Sequence, residues 1–251
     1  MPRVAAVHDL PGFGRTSLTL GIPLLSTMGV HVCPLPTAVL STHTGGFTDY
    51  SIRDLTAFME ECILHWNRLG IVFDAVYSGF LGSPKQMDLV AAFIAAQSDD
   101  DPLVVNDPVM GDKGSTYGPI SGEKATRMPQ YIHHADIITT NLTEAAFLLD
   151  EPDREDAGEH EVMDWILRLS DMGPGTVIVT SAPDPSSKKR TSVLACDRAD
   201  GRYWKVACDY IPANCPGTGD AFASVVVGSI MQGDIRARPS CEGGGLSRTG
   251  A

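Results

Sequence analysis

The stretch Asp54-Leu-Thr-Ala-Phe-Met-Glu-Glu-Cys-Ile-Leu-His-Trp-Asn-Arg-Leu69, closed by Gly70 and followed at once by Ile71-Val-Phe-Asp-Ala-Val-Tyr77, sets the architecture. In its first part Leu55, Phe58, Met59, Cys62, Ile63, Trp66 and Leu69 recur at i, i+3 and i+4. That spacing gathers apolar side chains on one helix face, and Gly70 supplies the stop. The second part is a short apolar run, the composition of a strand covered on both faces. A one-faced helix running into a doubly covered strand is the unit from which parallel α/β sheets are built.

The same alternation extends in both directions. Val4 to Val7, ended by His8-Asp9 and Pro11-Gly12, reads as a buried strand and its loop, and Leu103 to Asn106, Asp136 to Thr140 and Thr176 to Thr180 are runs of the same kind. Ser83-Pro84 opens another helix as N-cap and first residue, with Met87, Val90, Phe93 and Ile94 facing inward. Thr191 to Asp197 and Arg202 to Cys208, separated by Ala199-Asp200-Gly201, break the rhythm as a β-hairpin at a sheet edge. The prediction is an α/β protein: a three-layer α/β/α sandwich with a mainly parallel central sheet, binding its ligands beyond the carboxyl ends of the strands. No repeat or linker divides the chain, so residues 1–234 are expected to form one domain. From Arg236 onward apolar periodicity is lost, and residues 235–251 are expected to be an irregular tail.

Composition narrows the function. The chain has 251 residues, 43% of them hydrophobic and 20% charged, which is ordinary globular composition. Acidic residues outnumber basic ones by 31 to 19, for a net charge of -12. A nucleic acid or an anionic membrane would therefore find no broad basic surface. Cys33, Cys62, Cys196, Cys208, Cys215 and Cys241 show no C-x-x-C spacing, the N-terminus lacks a signal-peptide pattern, and no stretch is apolar for 18 residues. A reducing cytoplasmic setting is expected.

Four polar strings follow predicted strands or open a helix. Asn214-Cys-Pro-Gly-Thr-Gly-Asp220 runs straight into the apolar Ala221 to Met231, predicting a central, buried helix with all its polarity at the first turn. Amides exposed by Gly217 and Gly219 make an anion site at the helix N-terminus, and Asp220 sits where a base can accept a hydroxyl proton. Alternatively Asp220 only caps the helix. In Asn106-Asp-Pro-Val-Met-Gly-Asp112 the two carboxylates can hold Mg²⁺ through water, or the Asp-Pro can be a turn. Asn141-Leu-Thr-Glu144 can serve a site or be a capping box. Ser41-Thr-His-Thr-Gly-Gly-Phe47 is a further polar loop after an apolar run. Gly12-Phe-Gly14 lacks the third glycine of a dinucleotide loop, and no acidic ribose partner follows the next strand region, so that reading is rejected.

Taken in order, Asp-Pro-Val-Met-Gly-Asp, Asn-Leu-Thr-Glu and Gly-Thr-Gly-Asp resemble the ribokinase-like superfamily of small-molecule kinases. His8-Asp-Leu-Pro-Gly-Phe-Gly14, the Ser41-Thr-His-Thr-Gly45 loop and Ser78-Gly-Phe-Leu-Gly82 are similar to its vitamin B6 branch, the pyridoxal or pyridoxamine kinases. The resemblance implies ATP-dependent phosphorylation of the 5′-hydroxymethyl group of a B6 vitamer. Asp220 would then be the base, with Gly217, Thr218 and Gly219 forming the anion hole. It also implies Mg²⁺ positioned by Asp107 and Glu144, nucleotide contacts from Asp107, Asp112, Asn141, Glu144, Thr180 and Ser181, and a homodimer. Substrate contacts would come from Asp9, Thr44 and Phe80, with Phe13 and Phe47 covering the ring. Asp9 stands where this branch often has serine, and Phe80 where it often has tyrosine, so the ring contacts are expected to depart from the family pattern. The superfamily also continues past this helix with elements that close the adenine side, so weakened nucleotide binding is expected here. The same motifs leave open a hydroxymethylpyrimidine kinase and a vitamin-binding protein without catalysis.

Overall fold

The computed structural model describes residues 1–97, 101–118, 122–152, 157–184, 186–187, 189–213 and 215–234. Asn214 and the expected tail 235–251 lie outside the described residues.

Nine strands form the main sheet: β1 (Arg3–Pro11), β2 (His31–Leu40), β3 (Ile52–Asp54), β4 (Ala75–Ser78), β5 (Leu103–Asn106), β8 (Ile137–Thr140), β9 (Thr176–Pro183), β10 (Arg190–Asp197) and β11 (Arg202–Asp209). Their spatial order is β11-β10-β9-β8-β5-β4-β1-β2-β3. The six strands from β9 to β2 pair parallel, while β3, β10 and β11 pair antiparallel with their neighbours. A small hairpin, β6 (Gly111–Asp112) and β7 (Ser115–Thr116), stands apart. Lys113 and Gly114 turn it with φ of +50° and +71°, the left-handed pair that a two-residue hairpin needs.

Seven α-helices cover the sheet: α1 (Ser17–Thr27), α2 (Thr56–Arg68), α3 (Pro84–Ala96), α4 (Gly122–Tyr131), α5 (Leu142–Leu149), α6 (Glu159–Asp171) and α7 (Thr218–Gln232). Strand alternation divides the core in two. Val4 and Ala6 of β1 point to the layer with Leu18 and Leu25 of α1 and Ala223 and Val227 of α7. Ala5 and Val7 point to the opposite layer, which holds Met59, Phe93, Met128, Ala145 and Trp165 of α2 to α6. Burial of both faces is why these strands read as unbroken apolar runs.

Three expectations need correction. The segment 71–77 is not all strand: only Ala75–Ser78 pairs, because residues 71–74 cross from α2 into the sheet, with the Asp74 carboxylate accepting from the Arg3 amide at 2.7 Å. On α2 only Met59 and Ile63 are buried, while Phe58 and Leu69 are exposed, because β2 and α3 cover a narrower stripe than the sequence pattern. Helix α7 is not buried all round. Ala223, Ser224, Val227 and Gly228 face inward, whereas Val225 on the outer face is 46% exposed. Its inner face lies close on α1: a Cβ on Gly228 would stand 2.4 Å from the Met28 sulfur. Among the described residues no helix is long and apolar enough to cross a membrane.

The order in which strands are added reverses between the parallel neighbours β1 and β4: the first connection runs from β1 to β2 on one side, and the later strands build outward from β4 on the other. The carboxyl ends of β1 and β4 flank this switch point, where open α/β sheets leave a crevice for ligand.

Candidate active site

His8 and Asp9 end the buried part of β1 beside that crevice. Both are buried, and the His8 ring runs between two carboxylates: Nδ1 lies 2.7 Å from Asp9 Oδ1, and Nε2 lies 3.0 Å from Asp220 Oδ1. The second contact is an ion pair off the hydrogen-bond line. Burial alone would depress the imidazole, but the close contacts with Asp220 and Asp9, and the charges of both, outweigh it and raise the pKa to about 10. Burial would raise the Asp220 carboxyl. Contact with His8 and a bond from the Ser17 amide outweigh that and hold it below its ordinary value. Ser17 is itself in the left-handed region, at φ +53°, where a side chain is strained.

Asp220 lies in the first turn of α7 after Gly217, Thr218 and Gly219. Gly217 is the N-cap at φ +91°, and a Cβ there would stand 2.2 Å from the Arg15 carbonyl oxygen, so this position requires glycine. At Gly219 a Cβ would meet only the Asp107 Oδ2, at 4.0 Å, so the start of α7 lies beside that carboxylate. Asp107 follows β5. Burial, then the charge of Asp220, raise its pKa to about 7 against the opposing effect of His8.

The second and third motifs are bolted together. Asn141 caps α5 by accepting from the Glu144 amide at 2.9 Å, and its side-chain nitrogen donates to the Gly111 carbonyl at 2.9 Å. Glu144 completes the capping box from the Asn141 amide at 3.1 Å and accepts from the Met110 amide at 3.1 Å. Burial and then the Asp107 charge push the Glu144 carboxyl well upward against these backbone donors. The capping reading and the site reading therefore describe one arrangement: the cap fixes the loop that carries Asp107.

Lys124 of α4 is fully buried in the same region. Its Nζ stands 4.1 Å from the Phe80 ring centroid and donates to the Val109 carbonyl at 3.5 Å. Burial lowers its pKa to about 7, opposed by the charges of Asp9 and Glu144.

The rim is formed by loops. The His43 amide donates to the Phe13 carbonyl, and Phe47 packs edge-on against both Phe13 and His43. A Cβ on Gly45 would stand 3.6 Å from Pro216, so the loop bearing Thr44 abuts the start of α7.

The sequence pattern that defines phosphomethylpyrimidine kinases matches residues 22–237. The chain belongs to the phosphomethylpyrimidine kinase family. A crystal structure from Bacteroides thetaiotaomicron, described as a candidate phosphomethylpyrimidine kinase in a form with pyridoxal, is 50% identical with a TM-score of 0.88. That likeness covers 92% of this chain and 81% of the other. Pyridoxal kinase from Lactobacillus plantarum is 28% identical with a TM-score of 0.81, over 93% and 81% of the two chains. Among curated relatives, the pyridoxal kinase of Rubrobacter xylanophilus is 26% identical over 237 residues, 92% of this chain and 80% of the relative.

In this phosphomethylpyrimidine kinase fold, the structure brings Asp9, Phe80, Asp107, Glu144 and Asp220 together around the crevice, with half-buried Gly217 and exposed Thr218 and Gly219 at the helix start beside them. Thr44, Phe13 and Phe47 stand at the rim, Phe13 being 65% exposed. Asp112 is exposed on the β6–β7 hairpin. Thr180, bonded to the Thr140 carbonyl at 3.2 Å, and the exposed Ser181 lie within β9, which does not end at Thr180 as the sequence suggests but pairs with β10 as far as Pro183. Sequence reasoning missed His8 and Lys124, the two buried cations that balance these carboxylates. The one local signal for His8 was a polar ring directly ending an apolar strand beside an aspartate.

Proposed function

We propose that this chain transfers the γ-phosphoryl group of ATP to the 5′-hydroxymethyl group of a B6 vitamer: pyridoxal, pyridoxine or pyridoxamine. The observation that carries this reading is the Asp220 carboxylate, held ionised at the start of α7 beside open glycine amides and on the same crevice as Asp9 and Phe80. The pyridoxal-bound relative at 50% identity supports the choice of ring.

In this mechanism Asp220 accepts the hydroxyl proton as the substrate oxygen bonds to phosphorus and ADP departs. The amides of Gly217, Thr218 and Gly219 stabilise the charge developing on the transferred group, helped by about 0.3 to 1 kcal/mol from the helix dipole. Asp9 and Phe80 bound the ring, with Phe13, Thr44 and Phe47 over it. On the nucleotide side the reading places Asp112, Asn141, Thr180 and Ser181.

Among the described residues no three His, Cys, Asp or Glu side chains form a metal cage. Two buried carboxylates, Asp107 and Glu144, whose charges oppose one another, still fit a hard cation that keeps its waters. Among the described residues no hydrogen bond engages the Asp107 carboxylate, so it would be the one to hold Mg²⁺, with Glu144 behind it, and the ion would neutralise phosphate charge. A homodimer belongs to this reading by resemblance, and a cytoplasmic setting by the scattered cysteines and the N-terminal pattern.

The family description favours one second reading, a hydroxymethylpyrimidine substrate. Phosphorylation assays with B6 vitamers and hydroxymethylpyrimidine, each with ATP and Mg²⁺, separate the two. Turnover of a B6 vitamer is expected, falling by about 10²- to 10⁴-fold in Asp220→Asn while pyridoxal binding by calorimetry is nearly unchanged. Preference for the pyrimidine, or a variant with near-normal turnover, would refute the assignment.

A further inference from the structure

We propose that His8 is a positioning residue for the base: fixed between Asp9 and Asp220, it holds one oxygen of the Asp220 carboxylate and leaves the other for the substrate hydroxyl. The inference rests on the kinase reading above and gives a role to a residue that the sequence motifs include but leave without one.

The ring cannot easily be anywhere else. A Cβ at Gly79 would stand 2.1 Å from both Cδ2 and Nε2 of His8, so the β4 turn leaves room for the imidazole only because residue 79 is glycine. On the other side, the amides of Asp9 and Phe80 approach Nδ1 at 3.0 and 3.3 Å. Asp9 of β1, Tyr77 of β4, Asp220 of α7 and Asp107 after β5 are the titratable groups that face it, Tyr77 with its ring edge-on at 6.4 Å.

The two nearby carboxylates raise the ring's pKa to about 10. With Nδ1 engaged by Asp9 and by the Asp9 and Phe80 amides, and Nε2 set against Asp220, neither ring nitrogen is open to the hydroxyl proton, which goes to Asp220, and His8 is no relay. Its effects are two. As a fixed cation it keeps Asp220 ionised, and together with the Ser17 amide it stops the carboxylate from turning. Misplacing a reacting group by about 1 Å can reduce the rate by about 10²-fold.

The test is His8→Gln, which keeps an amide donor and loses the charge, read by steady-state kinetics with pyridoxal across pH. The expected result is a kcat lower by about 10- to 100-fold, a KM within about threefold of wild type, and an acid limb of kcat moved to higher pH because Asp220 has lost its counter-ion. Unchanged kcat and acid limb, or a raised KM at unchanged kcat, would overturn the proposal. A second measurement needs neither turnover nor a folded His8 variant: NMR titration of the His8 ring in the intact protein and in Asp220→Asn. The ring should stay protonated above pH 8 and titrate at least one pH unit lower in the variant. A His8 that titrates near 6.5 in the intact protein would overturn the proposal. Wild-type protein that phosphorylates no vitamer would instead overturn the kinase reading, with the NMR result still deciding the His8–Asp220 pair.

Discussion

Replacing Lys124 by methionine removes a buried ammonium while conserving most of its volume, and the expected effect on stability depends on pH. Burial brings the lysine from 10.5 to about 7. At about 1.4 kcal/mol per factor of ten in acidity, the charged form costs the fold up to roughly 5 kcal/mol below pH 7. The cation–π contact with Phe80 and the bond to the Val109 carbonyl return about 1 to 2 kcal/mol each, so Lys124→Met should be about 1 to 3 kcal/mol more stable at pH 7. Between pH 7 and 9 the unfolded wild type keeps this proton while the folded form releases it. Wild-type stability therefore gains about 2 kcal/mol from this group as pH rises, and the variant gains nothing. His8 acts in the opposite sense, since its raised pKa keeps a proton on the fold that the unfolded chain has lost. That contribution is common to both proteins and cancels in their difference. Urea denaturation of the two at pH 7, 8 and 9 reads the difference directly. Parallel stability curves, or a variant whose advantage grows with pH, would refute the reasoning.

Other perturbations test other parts of the site. With the Asp107 pKa raised to about 7, its carboxylate is mostly ionised at pH 8 and mostly neutral at pH 6. The Mg²⁺ concentration giving half-maximal activity should therefore rise about tenfold from pH 8 to pH 6, and Asp107→Asn should lose most of that dependence. Gly217→Ala combines a φ of +91° with a Cβ 2.2 Å from the Arg15 carbonyl. A loss of about 1 to 3 kcal/mol by thermal melting is expected, with lower kcat from the displaced amides. Gly228→Val should part α7 from Met28 of α1 at about 1 to 3 kcal/mol, and an unchanged melting temperature would contradict the close approach.

The sequence made the sheet legible wherever a strand is buried on both faces. Leu103–Asn106 was located to the residue, and the 190–197 and 202–209 hairpin was visible from its turn. Helix starts were legible where a cap is chemically explicit, as at Ser83-Pro84, whose Ser83 accepts from Gln86. What failed was reading exposure from composition: α7 is apolar all round in sequence, yet only its face toward α1 and the sheet is buried. Lys124 failed for the converse reason, since Gly-Glu-Lys-Ala-Thr-Arg looks like a solvated helix turn, and its burial depends on Phe80 and Val109 from other segments. The Asp107, Asn141–Glu144 and Asp220 motifs could each be seen singly. The bonds that join them, such as Met110 to Glu144, could not.

The contact between His8 and Asp220 joins β1 to α7, and α7 meets the early part of the chain again just after α1, where the Gln232 side chain donates to the Met28 carbonyl at 2.7 Å. A ribosome working at about 5 to 20 residues per second needs roughly 10 to 40 s to travel between the two halves of this pair. During that interval His8 and Asp9 of β1 have only each other, and the Asp220 side of the ring is without its carboxylate. Nascent chains are thus expected to remain inactive until α7 docks, so competence for phosphoryl transfer doubles as a report that synthesis has run through α7.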